Sequence, residues 1–241
     1  MGKLIAFVGP PGSGKTSVAM QTAIAVYLGT KSNKVAFLSP DLAVPSLGLL
    51  FPNDNPESLT SFGQVFDRTD INEDSLLEVG VSLKSMNNLL CFGFKTEDNK
   101  DTFPEPIEQK LEDLYSVLDR KMEYTVVDCT DDPSDVISNY AIKTAQVLVR
   151  VIPADLKGMT WYAANKYRYN REGREILNVV NTTTRDLYLP TEEICTKVQD
   201  VTTVLPYSRI LKQYLLEGRM SMRLSDHAFL HKLNTLTKSI I

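Results

Sequence analysis

Residues 9–16 read GPPGSGKT, and these residue types at this spacing are suited to holding a polyphosphate. The segment matches the phosphate-loop pattern G-x-x-x-x-G-K-[ST], follows a strand-like apolar run and opens a helix-like one. Gly12 and Gly14 allow backbone angles that turn successive N–H groups toward an anion, and the helix adds its positive end. Lys15 is expected to reach the outer phosphates, and the Thr16 hydroxyl to hold Mg²⁺. The predicted nucleotide contacts here are Gly9, Pro11, Gly12, Ser13, Gly14, Lys15, Thr16 and Ser17.

A second ligand for the metal should be a carboxylate at the end of a buried strand. Asp128 ends the apolar run that starts at Tyr124. A lone Asp after such a run is often a turn residue or a helix cap, but beside a phosphate loop it favours a magnesium role. Asp41 follows another strand-like run beside Pro40, and its residue context alone indicates only a loop acid.

The elements that must position these residues alternate along the chain. Short β-rich runs predict strands, and segments with apolar residues three and four apart predict helices between them. This alternation is typical of an α/β fold with a doubly wound, mostly parallel β-sheet flanked by helices. The predicted strands are Leu4–Val8, Val35–Leu38, Leu89–Phe94, Thr125–Asp128, Val147–Ile152, Ile176–Asn181 and Val201–Leu205. The predicted helices are Thr16–Leu28, Pro106–Asp119, Val136–Thr144, Lys157–Asn170, Thr191–Gln199, Ser208–Glu217 and Ser225–Ile241.

Length and composition limit the class of protein. The 241 residues predict a single domain over 1–241, and the irregular stretch Pro52–Met86, with polar residues at Asn53–Asn55, predicts loops with one or two helices. A net charge of −4 argues against general affinity for nucleic acid. The three cysteines form no paired motif, which disfavours a disulfide framework or a metal cluster. No apolar run is long enough for a membrane span, so we expect a cytoplasmic protein.

Several segments together resemble the MinD/ParA group of P-loop ATPases. They are the phosphate loop, Ser39-Pro40-Asp41 with the following Pro45–Pro52, the strand ending at Asp128, Val179-Val180-Asn181 and Leu205-Pro206-Tyr207-Ser208. The resemblance implies that Asp41 orients the attacking water, as the second catalytic residue beside Lys15. It also implies that Asn181 and Pro206 frame adenine. Asn181 is followed by three threonines rather than the N-K-x-D run of guanine-specific proteins, so ATP with Mg²⁺ is the expected ligand.

Two features depart from the family pattern. The family carries a lysine directly after the first glycine of the loop, which reaches the nucleotide of a dimer partner, whereas this chain has Pro10. The family also places a small residue and glycine after the Walker B Asp, whereas here Asp131 and Asp132 follow and would repel phosphate unless they point away or hold metal-bound water. The resemblance, so modified, implies a weak or partner-stimulated ATPase. A nucleotide-dependent homodimer would need an interface that does not use this lysine.

Two further stretches are candidate partner surfaces. Lys166, Arg168, Arg171 and Arg174 form the densest basic stretch, interleaved with tyrosines, as in a nucleic-acid or lipid surface. A solvated helix end explains the same pattern and is favoured. The last predicted helix has apolar residues at helical spacing, for which packing on the sheet is favoured over membrane contact.

The resemblance implies a nucleotide-switched protein that positions or assembles cargo, with a protein partner. The cargo classes are plasmid or chromosome partition, the division site, and a pilus, flagellum or conjugation apparatus. One alternative is a P-loop kinase for a small molecule or nucleotide, although Arg68 and Arg120 are too isolated to indicate an arginine-bearing lid. Another alternative is an ATP-binding regulatory module without hydrolysis.

Overall fold

Short runs of β-branched and other apolar residues form the central sheet. The computed structural model describes residues 2–30, 33–52, 58–83, 85–186 and 190–241. Within these ranges the sheet has eight strands. They are β1 (Lys3–Val8), β2 (Val35–Ser39), β3 (Val81–Leu83), β4 (Met86–Gly93), β5 (Tyr124–Asp128), β6 (Val147–Pro153), β7 (Glu175–Asn181) and β8 (Val201–Leu205).

The strand order is β3-β4-β2-β5-β1-β6-β7-β8, and every neighbouring pair is parallel except β3 with β4. The register aligns Phe7 with Asp128 across β1 and β5, and Val8 with Arg150 across β1 and β6. The carboxyl ends of parallel strands share one edge of a sheet, where ligands of doubly wound folds bind. The phosphate loop begins at this edge, and Asp128 and Asn181 are the last residues of β5 and β7 there.

Helices cover both faces of the sheet. They are α1 (Lys15–Gly29), α2 (Leu47–Leu50), α3 (Glu73–Val79), α4 (Glu108–Lys121), α5 (Val136–Thr144), α6 (Leu156–Asn165), α7 (Thr191–Lys197), α8 (Arg209–Leu216) and α9 (His227–Ile240), with a 3₁₀ helix at Phe62–Asp67. Ile5 and Phe7 pack with α1 and α9 on one face, and Ala6 packs with α4 and α5 on the other. Such two-sided burial explains why β1 is apolar at consecutive positions.

The observed elements confirm the predicted fold class and its seven strands. The predicted helix Lys157–Asn170 is wrong at its end, because α6 stops at Asn165 and the chain then turns. The 3₁₀ helix and α3 confirm the helices expected within Pro52–Met86, whereas Asn53–Asn55 lie outside the described residues. The predicted sheet packing of the last helix is also confirmed, with buried contacts from Phe229, Leu233, Leu236 and Ile240. Among the described residues, the helices are all too short or too polar to cross a membrane.

A buried glutamine fastens α1 to the segment that leads into α9. The Gln21 side chain is 1% exposed; its amide donates to Met220 O at 3.0 Å and to Met222 O at 2.9 Å. Its Oε1 accepts from the N–H of Leu224 at 3.2 Å. All three polar contacts are made inside the protein, which a buried amide requires. The segment Met220–Leu224 is therefore attached to the helix that begins at the phosphate loop.

Candidate functional site

The loop between β1 and α1 has the backbone shape of an anion cradle. Gly12 and Gly14 adopt φ angles of 80° and 78°, which side chains disfavour. A Cβ on Gly12 would meet no atom within 4 Å, so the loop is open there. α1 begins at Lys15 with Gly14 as its N-cap and without a side-chain cap, which leaves its first N–H groups available to an anion.

Lys15 and Asp128 meet at the centre of the site. The Lys15 ammonium donates to Cys129 O and lies 3.9 Å from Asp128 Oδ1. Asp128 is 4% exposed; Ser39 Oγ lies 3.5 Å from its Oδ2, and Oδ1 has no hydrogen-bond partner. A buried oxygen without a partner is rare in proteins and costs free energy. The structure therefore leaves one Asp128 oxygen free for a cation or for a water bound to it.

The surroundings of Asp128 also suit a cation. Burial raises the pKa of Asp128, while Lys15 and the Thr16 hydroxyl act in the opposite direction. Thr16 therefore lies beside the carboxylate, as predicted for the two magnesium ligands. Among the described residues, no group of three or more His, Cys, Asp or Glu side chains is arranged to hold a metal ion. A site with one hydroxyl and one carboxylate suits Mg²⁺, which usually completes its shell with phosphate and water oxygens.

Asp41 follows β2 and is held by its own backbone turn. Its Oδ1 accepts from the N–H groups of Ala43 at 2.8 Å and Val44 at 2.9 Å. Its negative charge raises the pKa of Asp128, which places the two carboxyls within electrostatic range. The turn fixes the position of the side chain and explains why a loop acid follows Pro40. Orientation of a water by Asp41 stays a prediction.

Asn181 and Pro206 lie at the ends of neighbouring strands. Asn181 is 5% exposed, and its amide donates to Ser13 O at 2.8 Å, which ties the end of β7 to the phosphate loop. A Cβ on Gly14 would lie 2.6 Å from this amide nitrogen, so glycine is also required for close packing there. Pro206 directly follows β8, where Thr182 N–H donates to Leu205 O at 2.9 Å. The predicted adenine contacts are thus brought to the same edge as the loop.

Gly9, Ser13 and Ser17 are the remaining polar or close-packed positions of the loop. A Cβ on Gly9 would lie 2.3 Å from Val151 O, so the loop starts in tight contact with β6. The Ser13 hydroxyl is buried without a hydrogen-bond partner. Ser17 Oγ lies 3.7 Å from the Met220 sulfur, so this predicted nucleotide contact is covered by the segment that precedes α9.

Asp132 is held at the surface by Lys100 and Ser134. Hydrogen bonds from the Ser134 hydroxyl and N–H and from Lys100 lower the pKa of Asp132 to about 2. Its ion pair with Lys100 has an N–O distance of 3.0 Å and is exposed. The negative charge of Asp132 is therefore compensated at the surface by Lys100.

Asp131 lies within electrostatic range of two lysines, Lys15 and Lys157. Burial raises the pKa of Asp131, the charges of Lys15 and Lys157 oppose this, and Asp41 adds to it. Lys157 had no motif to indicate it, yet its ammonium donates to Pro11 O at 2.9 Å. The only sequence signal for Lys157 was its position just after a predicted strand whose carboxyl end joins the same edge.

The predicted basic stretch lies near the amino end of β6, at the other edge of the sheet. Arg174 donates to the carbonyls of Ile142, Lys143 and Ala145 at the end of α5, and to Tyr169 O. Arg171 also donates to Lys143 O, whereas Arg168 is exposed. Arg171 and Arg174 therefore act at the C-terminus of α5, where cations satisfy free carbonyls and complement the dipole, rather than at the end of their own predicted helix.

A cavity of about 330 Å³ opens beside Asp41 rather than over the loop. Phe66, Phe94 and Phe103 provide much of its apolar lining, and Thr130 and Ile137 also line it. Asp41 lies at its wall, so the cavity adjoins the predicted water-orienting residue. Its size is that of a pocket for a small molecule or a single large side chain.

No protein-family model and no curated protein sequence matches the chain. Solved structures do match over nearly its whole length. MinD from Pyrococcus horikoshii OT3, complexed with Mg-ADP, has a TM-score of 0.76 at 19% identity, covering 100% of this chain and 96% of that one. A ParA family ATPase from Chlorobium tepidum TLS has a TM-score of 0.76 at 15% identity, covering 98% of each chain.

A third match is the MinC:MinD cell division complex of Aquifex aeolicus. It has a TM-score of 0.67 at 12% identity and covers 98% of this chain and 95% of that one. Identities at this level establish the shared fold and leave the chemistry to the residues of the site. The chain has the mostly parallel α/β fold of the MinD and ParA family ATPases.

Proposed function

We propose that this chain binds ATP with Mg²⁺ at the loop from Gly9 to Thr16 and acts as a MinD/ParA-like nucleotide switch. The observation that carries the proposal is the buried Asp128 Oδ1, which has no hydrogen-bond partner and pairs with the Lys15 ammonium at 3.9 Å. A carboxylate left open beside a lysine and a glycine cradle is explained by a cation that accompanies an anion. A cation alone would leave the loop and Lys15 without an anion, and an anion alone would leave Asp128 without a cation.

Each residue has a distinct role in this proposal. The loop N–H groups and Lys15 hold the phosphates, while Thr16 and Asp128 hold Mg²⁺, which neutralises charge on the phosphate oxygens. Asp41 orients the attacking water, and Asn181 and Pro206 contact adenine. Hydrolysis is weak without a partner, because the Asp131 carboxylate, three residues after Asp128, would repel the phosphates.

The cellular role that fits this fold is the positioning or assembly of cargo through nucleotide-dependent partner binding. The MinC:MinD complex is a protein of the same fold bound to a protein partner. We infer that a protein partner also reads the nucleotide state of this chain, in partition, division-site placement, or assembly of a pilus, flagellum or conjugation apparatus. Because residue 10 is proline and not lysine, a homodimer would form through other contacts. DNA or membrane contact through Lys166, Arg168, Arg171 and Arg174 is not favoured.

Calorimetric titration with ATP, ADP and AMP, with and without Mg²⁺, tests the site. Lys15→Ala should abolish measurable ATP binding, and Asp128→Asn should remove the gain in affinity that Mg²⁺ gives. Lys197→Ala is the matched control, since this exposed lysine ends α7 away from the loop. Unchanged ATP affinity in Lys15→Ala would refute the site.

Phosphate release then tests turnover, with DNA, anionic vesicles and candidate partner proteins added separately. Stimulation by a protein supports the switch, and binding without release under every condition identifies a regulatory module. The cavity beside Asp41 favours a kinase as the second candidate, because Asp41 could accept a proton from a hydroxyl substrate held there. Phosphorylation of an added metabolite would establish that candidate instead.

A further inference from the structure

Lys157 brings a second cation to the phosphate loop from a different part of the chain. It lies in the first turn of α6 and donates from Nζ to Pro11 O at 2.9 Å. In the part of the chain that the structure describes, this is the one hydrogen bond of its side chain, which forms no ion pair. An ammonium group has three N–H donors, so two remain for another acceptor.

The position of Lys157 is electrostatically unfavourable for a purely structural cation. The first turn of a helix carries the positive end of the dipole and favours acidic side chains. α6 has no acid in that turn, although its N-cap Asp155 accepts from Gly158 N–H at 2.7 Å. A lysine placed beside this helix end and beside the N–H groups of the loop adds to a positive region that attracts an anion.

Tight backbone packing fixes Lys157 near the loop. A Cβ on Gly158 would lie 2.0 Å from Pro153 O, so the start of α6 is pressed against the end of β6. The loop is pressed against the same strand, since a Cβ on Gly9 would lie 2.3 Å from Val151 O. The backbone at Lys157 and the loop therefore share one rigid support, and only the lysine side chain has to move to reach a ligand.

We propose that Lys157 is a second ligand of the polyphosphate, supplied by the same chain that holds the loop. On binding, the two free N–H groups of its ammonium donate to phosphate oxygen. Asp131 lies within electrostatic range of both Lys157 and Lys15, so an incoming polyphosphate competes with this carboxylate for the two cations. Pro10 stands where the resembled family has a lysine. Lys157 would supply a positive charge to the phosphates from within the same chain. This inference rests on the proposed nucleotide site.

The test is the affinity for ATP, ADP and AMP, measured by calorimetry for the full chain. Lys157→Met keeps the aliphatic stem and removes the charge; it should raise the Kd of ATP about tenfold, the magnitude of one charge-assisted hydrogen bond. The Kd of ADP should rise less, and AMP should show no difference. Lys157→Arg should stay within about threefold of the wild type, and Lys197→Ala should be unchanged. Asp131→Asn should lower the Kd of ATP several-fold, because it removes the competing carboxylate.

Salt dependence gives a second readout. Removal of one phosphate contact should lower the slope of log Kd against log salt for ATP in Lys157→Met but not in Lys197→Ala. An ATP affinity of Lys157→Met within twofold of the wild type, with an unchanged melting temperature, would overturn the inference and leave the proposed function intact. A wild-type chain that binds no ATP would overturn the proposed function itself.

Discussion

Replacing Arg174 with alanine should destabilise the fold by about 3 kcal/mol. The guanidinium makes four hydrogen bonds to backbone carbonyls, three of them at the end of α5, with N–O distances from 2.5 to 3.1 Å. The site is partly exposed, so the carbonyls regain some water when the side chain is removed. A net value of about 0.7 kcal/mol per bond, in the lower half of the usual range, gives this total.

The assay is thermal unfolding followed by circular dichroism. For a chain of this size, about 3 kcal/mol corresponds to a fall in Tm of about 6–12 °C. Arg168→Ala is the matched control, because Arg168 is exposed and its guanidinium makes one hydrogen bond, at 3.4 Å to Asn165 Oδ1. Its Tm should change by no more than about 2 °C.

Arg174→Lys separates hydrogen-bond geometry from charge. Lysine keeps the positive charge near the helix end but cannot reproduce the planar fork that reaches several carbonyls. Most of the loss in Tm should therefore persist in this variant. A Tm for Arg174→Ala within about 2 °C of the wild type, or full rescue by lysine, would contradict the hydrogen-bond argument and return the basic stretch to the class of candidate partner surfaces.

Three further predictions concern the site and its rim. The pKa of Asp132 is lowered in the folded chain, so its hydrogen bonds from Ser134 and its pairing with Lys100 stabilise the fold above the ordinary Asp pKa, and this effect is lost as the pH falls toward 2. Asp132→Asn should thus lower Tm at neutral pH, with a difference that shrinks below about pH 4. Gly12→Ala and Gly14→Ala each place an alanine at a left-handed backbone angle, which costs about 1–2 kcal/mol. Gly14→Ala should lower Tm more, because its methyl group would also displace the Asn181 side chain. Asn181→Ala should weaken ATP binding while the far-ultraviolet circular dichroism stays unchanged, since it releases Ser13 O in the loop; equal Kd values would contradict this role.

The long periodic segments of this fold were predictable, and its short or long-range features were not. β3 was missed because it has three residues at the sheet edge, of which Leu83 is the one that is buried. The end of α6 was placed too late because Arg150 donates to Lys166 O and Arg174 to Tyr169 O, which gives these carbonyls to side chains. Residue spacing within a segment carries no information about such partners.

Some residues of the candidate site were predictable from the sequence, and others were not. The loop and Asp128 were predictable because a contiguous motif and the end of one strand specify them. The contact of Lys157 with the loop joins residues 146 positions apart, and nothing near Lys157 in the sequence points to Pro11. The sequence could not show which of Asp131 and Asp132 has its charge compensated. The structure decides this, because Lys100 and Ser134 bind Asp132.

The attachment of Gln21 to the segment before α9 makes a distant amide a reporter of loop occupancy. Leu224 N–H donates to Gln21 Oε1, so this amide exchanges its hydrogen with solvent only when its contact with α1 opens. A polyphosphate that holds the first turn of α1 should slow this opening. Hydrogen exchange at Leu224 would then fall on ligand binding, although Leu224 lies more than 200 residues along the chain from the loop.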